Sequence, residues 1–247
     1  MVTRYVKALK SYDTLISKFE TEINVAVQGY VLNSWYNHWS SILIEHIFKS
    51  HSIVLPTVGQ IKSVDFFINN IPFDLKVTYL PNEYIKIKRK EKGYPVEITY
   101  LKDCAKKAGI NFDKKAKESD IHYEIIEKLA DKNDEFSNFV LQKIKSEKLE
   151  ILKEAQENPK ILAKWLYENH GEMRFGSENR LFLVLVDSGD FENSWKLKRN
   201  FELLEPSIKQ YLDNFHKKQI NDFKLSFNFK GKPNSFNVLT DIIFITK

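Results

Sequence analysis

Three residues in the stretch 63–78 have the types and spacing to do chemistry: Asp65, Asp74 and Lys76, within Ser63-Val-Asp-Phe-Phe-Ile-Asn-Asn-Ile-Pro-Phe-Asp-Leu-Lys-Val-Thr78. The pattern alternates every second residue, as a strand does. Asn69-Asn70 suits a two-residue hairpin turn, because Asn tolerates the positive φ that such turns require. With that turn, opposed residues have numbers summing to 139, so Phe66 faces Phe73 and Asp65 faces Asp74. One face carries Val64, Phe66, Ile68, Ile71, Phe73, Leu75 and Val77, all apolar, and is predicted to be core. The other carries Ser63, Asp65, Phe67, Pro72, Asp74, Lys76 and Thr78. Two carboxylates directly opposed, with Cβ atoms roughly 4.5–5.5 Å apart, repel unless a cation lies between them. A hard divalent ion can bridge both, and Mg²⁺ takes carboxylate oxygens together with waters and a phosphate. A second reading makes Asp65 and Asp74 solvent-facing residues with Lys76 as their salt-bridge partner, an arrangement of little energetic consequence. Against it, Phe67 and Pro72 share that face, and strands tend to avoid Asp.

The elements that would position these residues read as a mixed α/β domain. Residues 10–50 are predicted helical, with one stripe through Ile16, Phe19, Ile23 and Val27 and another through Trp35, Trp39, Ile42, Leu43 and His46. Gly29 is expected to mark a joint between two helices. Residues 84–88 and 95–101 are read as short additional strands. The block 102–169 is helical again and reads as an inserted lobe, with Pro159 in the first turn of its last helix. Asn169 to Arg180 reads as loop. Leu181 to Val186 is an unbroken apolar run, as in a strand buried on both faces. An amphipathic helix over 193–217 and two strands, 223–229 and 236–246, complete the chain.

An Asp on one strand followed by Asp-x-Lys on the next, after a helix, resembles the PD-(D/E)XK nuclease signature, which maps here to Asp65, Asp74 and Lys76. Val64 stands where that family often has Pro. The resemblance covers about residues 35–80 and 181–217, and does not extend to 102–169. It implies a restriction-endonuclease-like mixed sheet flanked by helices, formed by 1–101 and 170–247. It further implies a Mg²⁺-dependent DNA endonuclease, with Asp65 and Asp74 as metal ligands and Lys76 acting on the attacking water. Related nucleases often add an acid from the first core helix, and Glu45 occupies that place. The expected partners are double-stranded DNA and a second copy in a homodimer, with a type II restriction enzyme as the leading reading. The alternatives are another nuclease on the same fold, for repair, junction resolution or defence, and a non-catalytic DNA-binding module.

Charge and composition agree with a polyanion partner without demanding one. The net charge is +5, but residues 86–117 hold eleven Lys or Arg against four acids, or +7, which leaves −2 elsewhere. Lys86, Lys88, Arg89, Lys90 and Lys92 are accordingly expected to grip the phosphate backbone. The 102–169 lobe is expected to read bases or to dimerise. Arg174, Glu178 and Arg180 form a second polar cluster, assigned to packing. Trp35, Trp39, Trp165 and Trp195 are expected in the core, His46 in the core or at its boundary, and Cys104 as inert. A single cysteine excludes an intrachain disulfide framework. The lack of a signal-like N-terminus or a long apolar run predicts a cytoplasmic protein without a membrane span.

Overall fold

The structure, a computed structural model, describes residues 7–57, 64–169, 178–229 and 233–247. Ser63 and Arg174 lie outside the described residues. Helix α1 (Tyr12–Lys18) runs through a π-helical segment (Phe19–Ile23) into α2 (Asn24–Lys49). A short β1 (Val54–Pro56) precedes the hairpin β2 (Phe66–Ile68) and β3 (Ile71–Tyr79). Five helices follow: α3 (Asn82–Glu91), α4 (Glu97–Lys107), α5 (Glu118–Lys132), α6 (Glu135–Glu157) and α7 (Pro159–Asn169). The chain returns through β4 (Arg180–Val186), a 3₁₀ segment (Phe191–Arg199) and α8 (Phe201–Asp213). A short α9 (Ile220–Phe223) leads to β5 (Lys224–Asn228) and β6 (Ser235–Thr246).

The six strands form one mixed sheet in the order β1-β2-β3-β4-β6-β5. The β3–β4 and β4–β6 pairs are parallel, and the others antiparallel. Parallel neighbours need long crossovers, and helices α3–α7 supply the first of these. Helices cover both faces. On one, Leu181, Leu183 and Leu185 pack with Phe66 and Phe73 against Ile44 and Phe48 of α2 and Leu204 and Ile208 of α8. On the other, Phe182, Val184 and Val186 pack under Tyr84 of α3, Ile151 of α6 and Leu162 of α7. The unbroken apolar run of β4 is thus buried from both sides, as expected. A third cluster, built from Leu101, Ile125, Leu129 and Val140, holds α4, α5 and the start of α6 together away from the sheet.

Several expectations are corrected. Residues 84–88 and 97–101 are helical and 95–96 lead into the second of these helices, so the helical connection begins at Asn82 rather than at 102. The Ile-Lys-Ile-Lys alternation at 85–88 imitates a strand, but Tyr84, Ile85, Lys88 and Arg89 turn inward together, one turn apart on a helix. Gly29 lies inside α2, and the irregularity in the N-terminal helix is the π segment ten residues earlier. The helix expected over 193–217 is a 3₁₀ turn followed by α8. Trp35, Trp39 and Trp195 are exposed rather than core, and so is His46. Trp165 packs edge-on against Tyr84 as expected, and Cys104 is buried. Among the described residues no helix is long and apolar enough to cross a membrane.

Candidate active site at the β2–β3 hairpin

The hairpin has the expected register: Phe66 pairs with Phe73, Phe67 with Pro72 and Ile68 with Ile71. Asn69 and Asn70 both take positive φ, 46° and 66°, as a two-residue turn matched to strand twist requires. Phe66, Ile68 and Phe73 are fully buried beneath α2, with Phe48 stacked on Phe66 at 5.0 Å.

One residue before β2 the ladder slips. The Asp65 N–H donates to the Phe73 carbonyl (2.9 Å), so Asp65 and Phe66 both oppose Phe73, a β-bulge. A bulge re-aims the side chain it carries. The Asp65 carboxylate (Oδ2) accepts from the Leu75 N–H at 2.7 Å, on the stretch of β3 beyond the end of β2. The simple face-to-face Asp65–Asp74 pair is therefore replaced by a bulged one. The two carboxylates still act on each other: Asp65 is one of the charges that raise the pKa of Asp74.

Asp74 sits where β3 meets the first residue of β4, paired with Arg180. Its side chain is only 7 % exposed. Oδ1 accepts from Lys76 Nζ at 2.8 Å. Oδ2 is buried without a hydrogen-bond partner; the nearest cation, Arg180 Nε, stands 3.7 Å away, too far for a hydrogen bond. Arg180 is shared with Glu178 (3.5 Å), and its guanidinium lies over the Tyr167 ring. Glu178 Oε1 and Arg180 Nε are also buried without hydrogen-bond partners. Burial pushes the pKa of Asp74 above the ordinary carboxylate range against the pull of Lys76, with Asp65 and Glu178 adding to the rise. Asp65 is raised for the same first reason, with Glu45 adding to the rise, while the Leu75 N–H, Lys76 and Lys49 oppose it. Glu45 is thus within electrostatic reach of Asp65, and it pairs with Lys49 one turn along α2.

The site therefore gathers Asp65, Asp74, Lys76 and Glu45 from the expected set, and adds Glu178 and Arg180, which sequence reasoning assigned to packing. Their place depends on the parallel β3–β4 pairing, and no local pattern announces it. Lys76 is half exposed, with its Nζ held on Asp74 Oδ1 at the mouth of the site. Among the described residues no three His, Cys, Asp or Glu side chains form a ready-made metal cage. Mg²⁺ does not require one, since it is commonly held by one or two carboxylates and retains several waters. An unpartnered buried Asp74 oxygen beside a second desolvated carboxylate fits that mode of binding.

The basic residues expected to grip DNA are mostly committed elsewhere. Arg89 is buried and paired with Glu147 (2.6 Å). Lys88 pairs with Glu91 and Glu154, Lys92 with Glu150 and Glu154, and Lys86 with Glu83. The contacts to Glu147, Glu150 and Glu154 fasten α3 and its C-terminal end to α6, while Lys86–Glu83 and Lys88–Glu91 lie within α3; Lys90 alone of the five is exposed without a described ion pair. The chain matches no protein-family model, no curated protein and no solved structure.

Proposed function

We propose that this protein is a Mg²⁺-dependent endonuclease of the PD-(D/E)XK type, hydrolysing phosphodiester bonds in double-stranded DNA, with the hairpin as its catalytic element. The observation that carries the reading is the unpartnered, buried Oδ2 of Asp74 beside a second desolvated acid, Asp65, with a half-exposed lysine on the same strand. The restriction-endonuclease-like fold belongs to this proposal; a six-stranded mixed sheet with helices on both faces is compatible with it.

Asp65 and Asp74 would hold the ion, and Glu45 stands on the Asp65 side as a further carboxylate. A divalent ion there supplies Lewis acidity toward a phosphoryl oxygen and lowers the pKa of a coordinated water. The protein contributes placement. The Leu75 N–H fixes one Asp65 oxygen, the Arg180–Glu178 pair flanks Asp74, and the β-bulge turns Asp65 out of the regular pleat. Lys76 Nζ, 2.8 Å from Asp74 Oδ1, is placed to orient a water and to balance the negative charge that grows on the phosphate during attack.

A type II restriction enzyme is the form of this activity we favour. Digestion of plasmid and phage DNA with Mg²⁺ or with EDTA tests both levels. Discrete Mg²⁺-dependent fragments support a site-specific enzyme; a Mg²⁺-dependent smear keeps the nuclease and replaces restriction with another role. Absence of cleavage on unmodified DNA from several sources favours the non-catalytic DNA-binding module.

A further inference from the structure

Where the 3₁₀ segment Phe191–Arg199 packs against α2, cations and aromatic rings alternate. The Arg199 guanidinium lies 4.8 Å from the Trp35 ring centre and 4.7 Å from that of Tyr36. The Tyr36 ring meets Trp195 edge-on at 5.6 Å, and Lys196 Nζ stands 5.7 Å over Trp195. Arg199 Nε donates to Ser40 Oγ at 3.2 Å, while its two terminal nitrogens reach solvent and have no protein acceptor. Among the described residues no acid pairs with Lys196, Lys198 or Arg199, although Lys198 is buried, its Nζ on Asn37 Oδ1 at 2.7 Å. A buried lysine without a paired acid is uncommon. Trp35 remains 53 % and Trp195 45 % exposed. The ring contacts and the Ser40 bond fasten the segment to α2, but they leave unused the guanidinium edge, the Lys196 charge and the exposed parts of both tryptophans.

We infer that this cluster binds an unpaired nucleic-acid strand, with backbone phosphates on Arg199 and Lys196 and bases stacked on Trp35 and Trp195. A guanidinium held by two rings and a hydroxyl is pre-organised for the bidentate contact a phosphate offers, so little side-chain freedom is lost on binding. An indole face stacks on any base, but only on an unpaired one, because in a duplex each base face is covered by its neighbours. Cations with no acid to answer them, set beside those rings, select a polyanion over an apolar peptide. The surface is distinct from α3, whose Lys88 and Arg89 are answered by acids of α6. Glu45 lies ten residues on from Trp35 along α2, about 15 Å, so a strand held here can be a flank of the substrate at the hairpin. That connection rests on the nuclease reading; strand binding itself does not.

Fluorescence anisotropy of a labelled oligothymidylate of about twenty nucleotides, titrated with the full chain in EDTA, tests the inference without metal or cleavage at the hairpin. Wild type is expected to bind it, and more tightly than a blunt duplex of the same length. Trp35→Ala and Trp195→Ala, each removing one stacked base, are expected to weaken binding about 5- to 100-fold, and the corresponding Phe variants to retain most of it. Lys196→Ala is expected to lower the slope of log K against log salt by about 0.7, the share of one phosphate on a single strand. Tyr123→Ala/Lys153→Ala, an exposed ring and cation on the helical connection, is expected to change neither. Should Trp35→Ala misfold, Trp195→Ala and the salt slope of Lys196→Ala carry the test. Absent binding by wild type, tryptophan variants that bind as wild type does, or equal affinity for the blunt duplex would overturn the proposal. So would thymidine monophosphate that binds as tightly as the oligonucleotide, or inorganic polyphosphate that competes as well at equal charge. Strand binding in EDTA together with no cleavage in Mg²⁺ would uphold the inference and remove the nuclease reading instead.

Discussion

Replacing Arg89 by Ala separates a structural role from a DNA-gripping one. The Arg89 side chain is 3 % exposed and Glu147 7 %, their charges 2.6 Å apart, and Arg89 NH2 also donates to the Pro95 carbonyl at 3.1 Å. Removing one partner of a buried ion pair leaves the other charge uncompensated, at about 3–5 kcal/mol. The lower end applies here. Glu97, 3.9 Å from Arg89, keeps Lys148 and His122, so Glu147 is the acid that loses its counter-ion. About 3 kcal/mol in a chain of this size corresponds to a fall in Tm of about 6–12 °C. Calorimetry of Arg89→Ala reads this directly, and Arg89→Met/Glu147→Leu is expected to recover most of it, because hydrophobic isosteres replace buried pairs at little net cost. A fall of less than about 2 °C, together with weakened DNA binding and a shallower salt dependence, would refute the reasoning and return Arg89 to the phosphate-binding set.

The candidate site makes three further predictions. Mg²⁺ at a hundred times its Kd is expected to add about 2.7 kcal/mol, raising Tm by about 5–11 °C, with no such rise in Asp74→Ala. The folded-state pKa values of Asp65 and Asp74 are raised, so their contribution to stability is fully present below the ordinary carboxylate range and is lost as pH rises through the raised values. Glu97, lowered to about 2, works in the opposite sense, its contribution being lost as pH falls from about 4.5 toward 2. Thermal melts in EDTA are therefore expected to show wild type gaining stability relative to Asp65→Asn/Asp74→Asn as pH is lowered through the raised values; a pH-independent difference would count against the desolvated acid pair. Lys76→Ala is expected to cut the cleavage rate by about 10²–10⁴ while leaving the Mg²⁺-induced rise in Tm in place, and loss of both would make Lys76 a structural residue.

What the sequence discloses about this site is local, and what it conceals depends on distant pairing. Asn69-Asn70 between alternating strands sets the hairpin register through turn chemistry alone, and the structure has that register. The bulge at Asp65 leaves the alternation intact, so the pattern gives no sign that the Asp65 N–H shares the Phe73 carbonyl. Arg180 and Glu178 reach Asp74 only because β4 lies parallel to β3, about a hundred residues on, after five helices. The basic segment 86–117 shows its charge in the sequence but not that Lys88, Arg89 and Lys92 are paired with acids of α6. Trp35 and Trp39 follow a helical stripe as core residues do, yet the face they mark is turned away from the sheet. Periodicity shows that a face is apolar, not which neighbour covers it.

Cleavage of supercoiled plasmid by wild type and Asp74→Ala, each with Mg²⁺ and with EDTA, asks whether the hairpin acids carry a metal-dependent nuclease. Wild type with Mg²⁺ is expected to give nicked or linear product, and Asp74→Ala none despite a native melting transition. Cleavage by Asp74→Ala at the wild-type rate, or wild-type cleavage that persists in EDTA, would contradict that role.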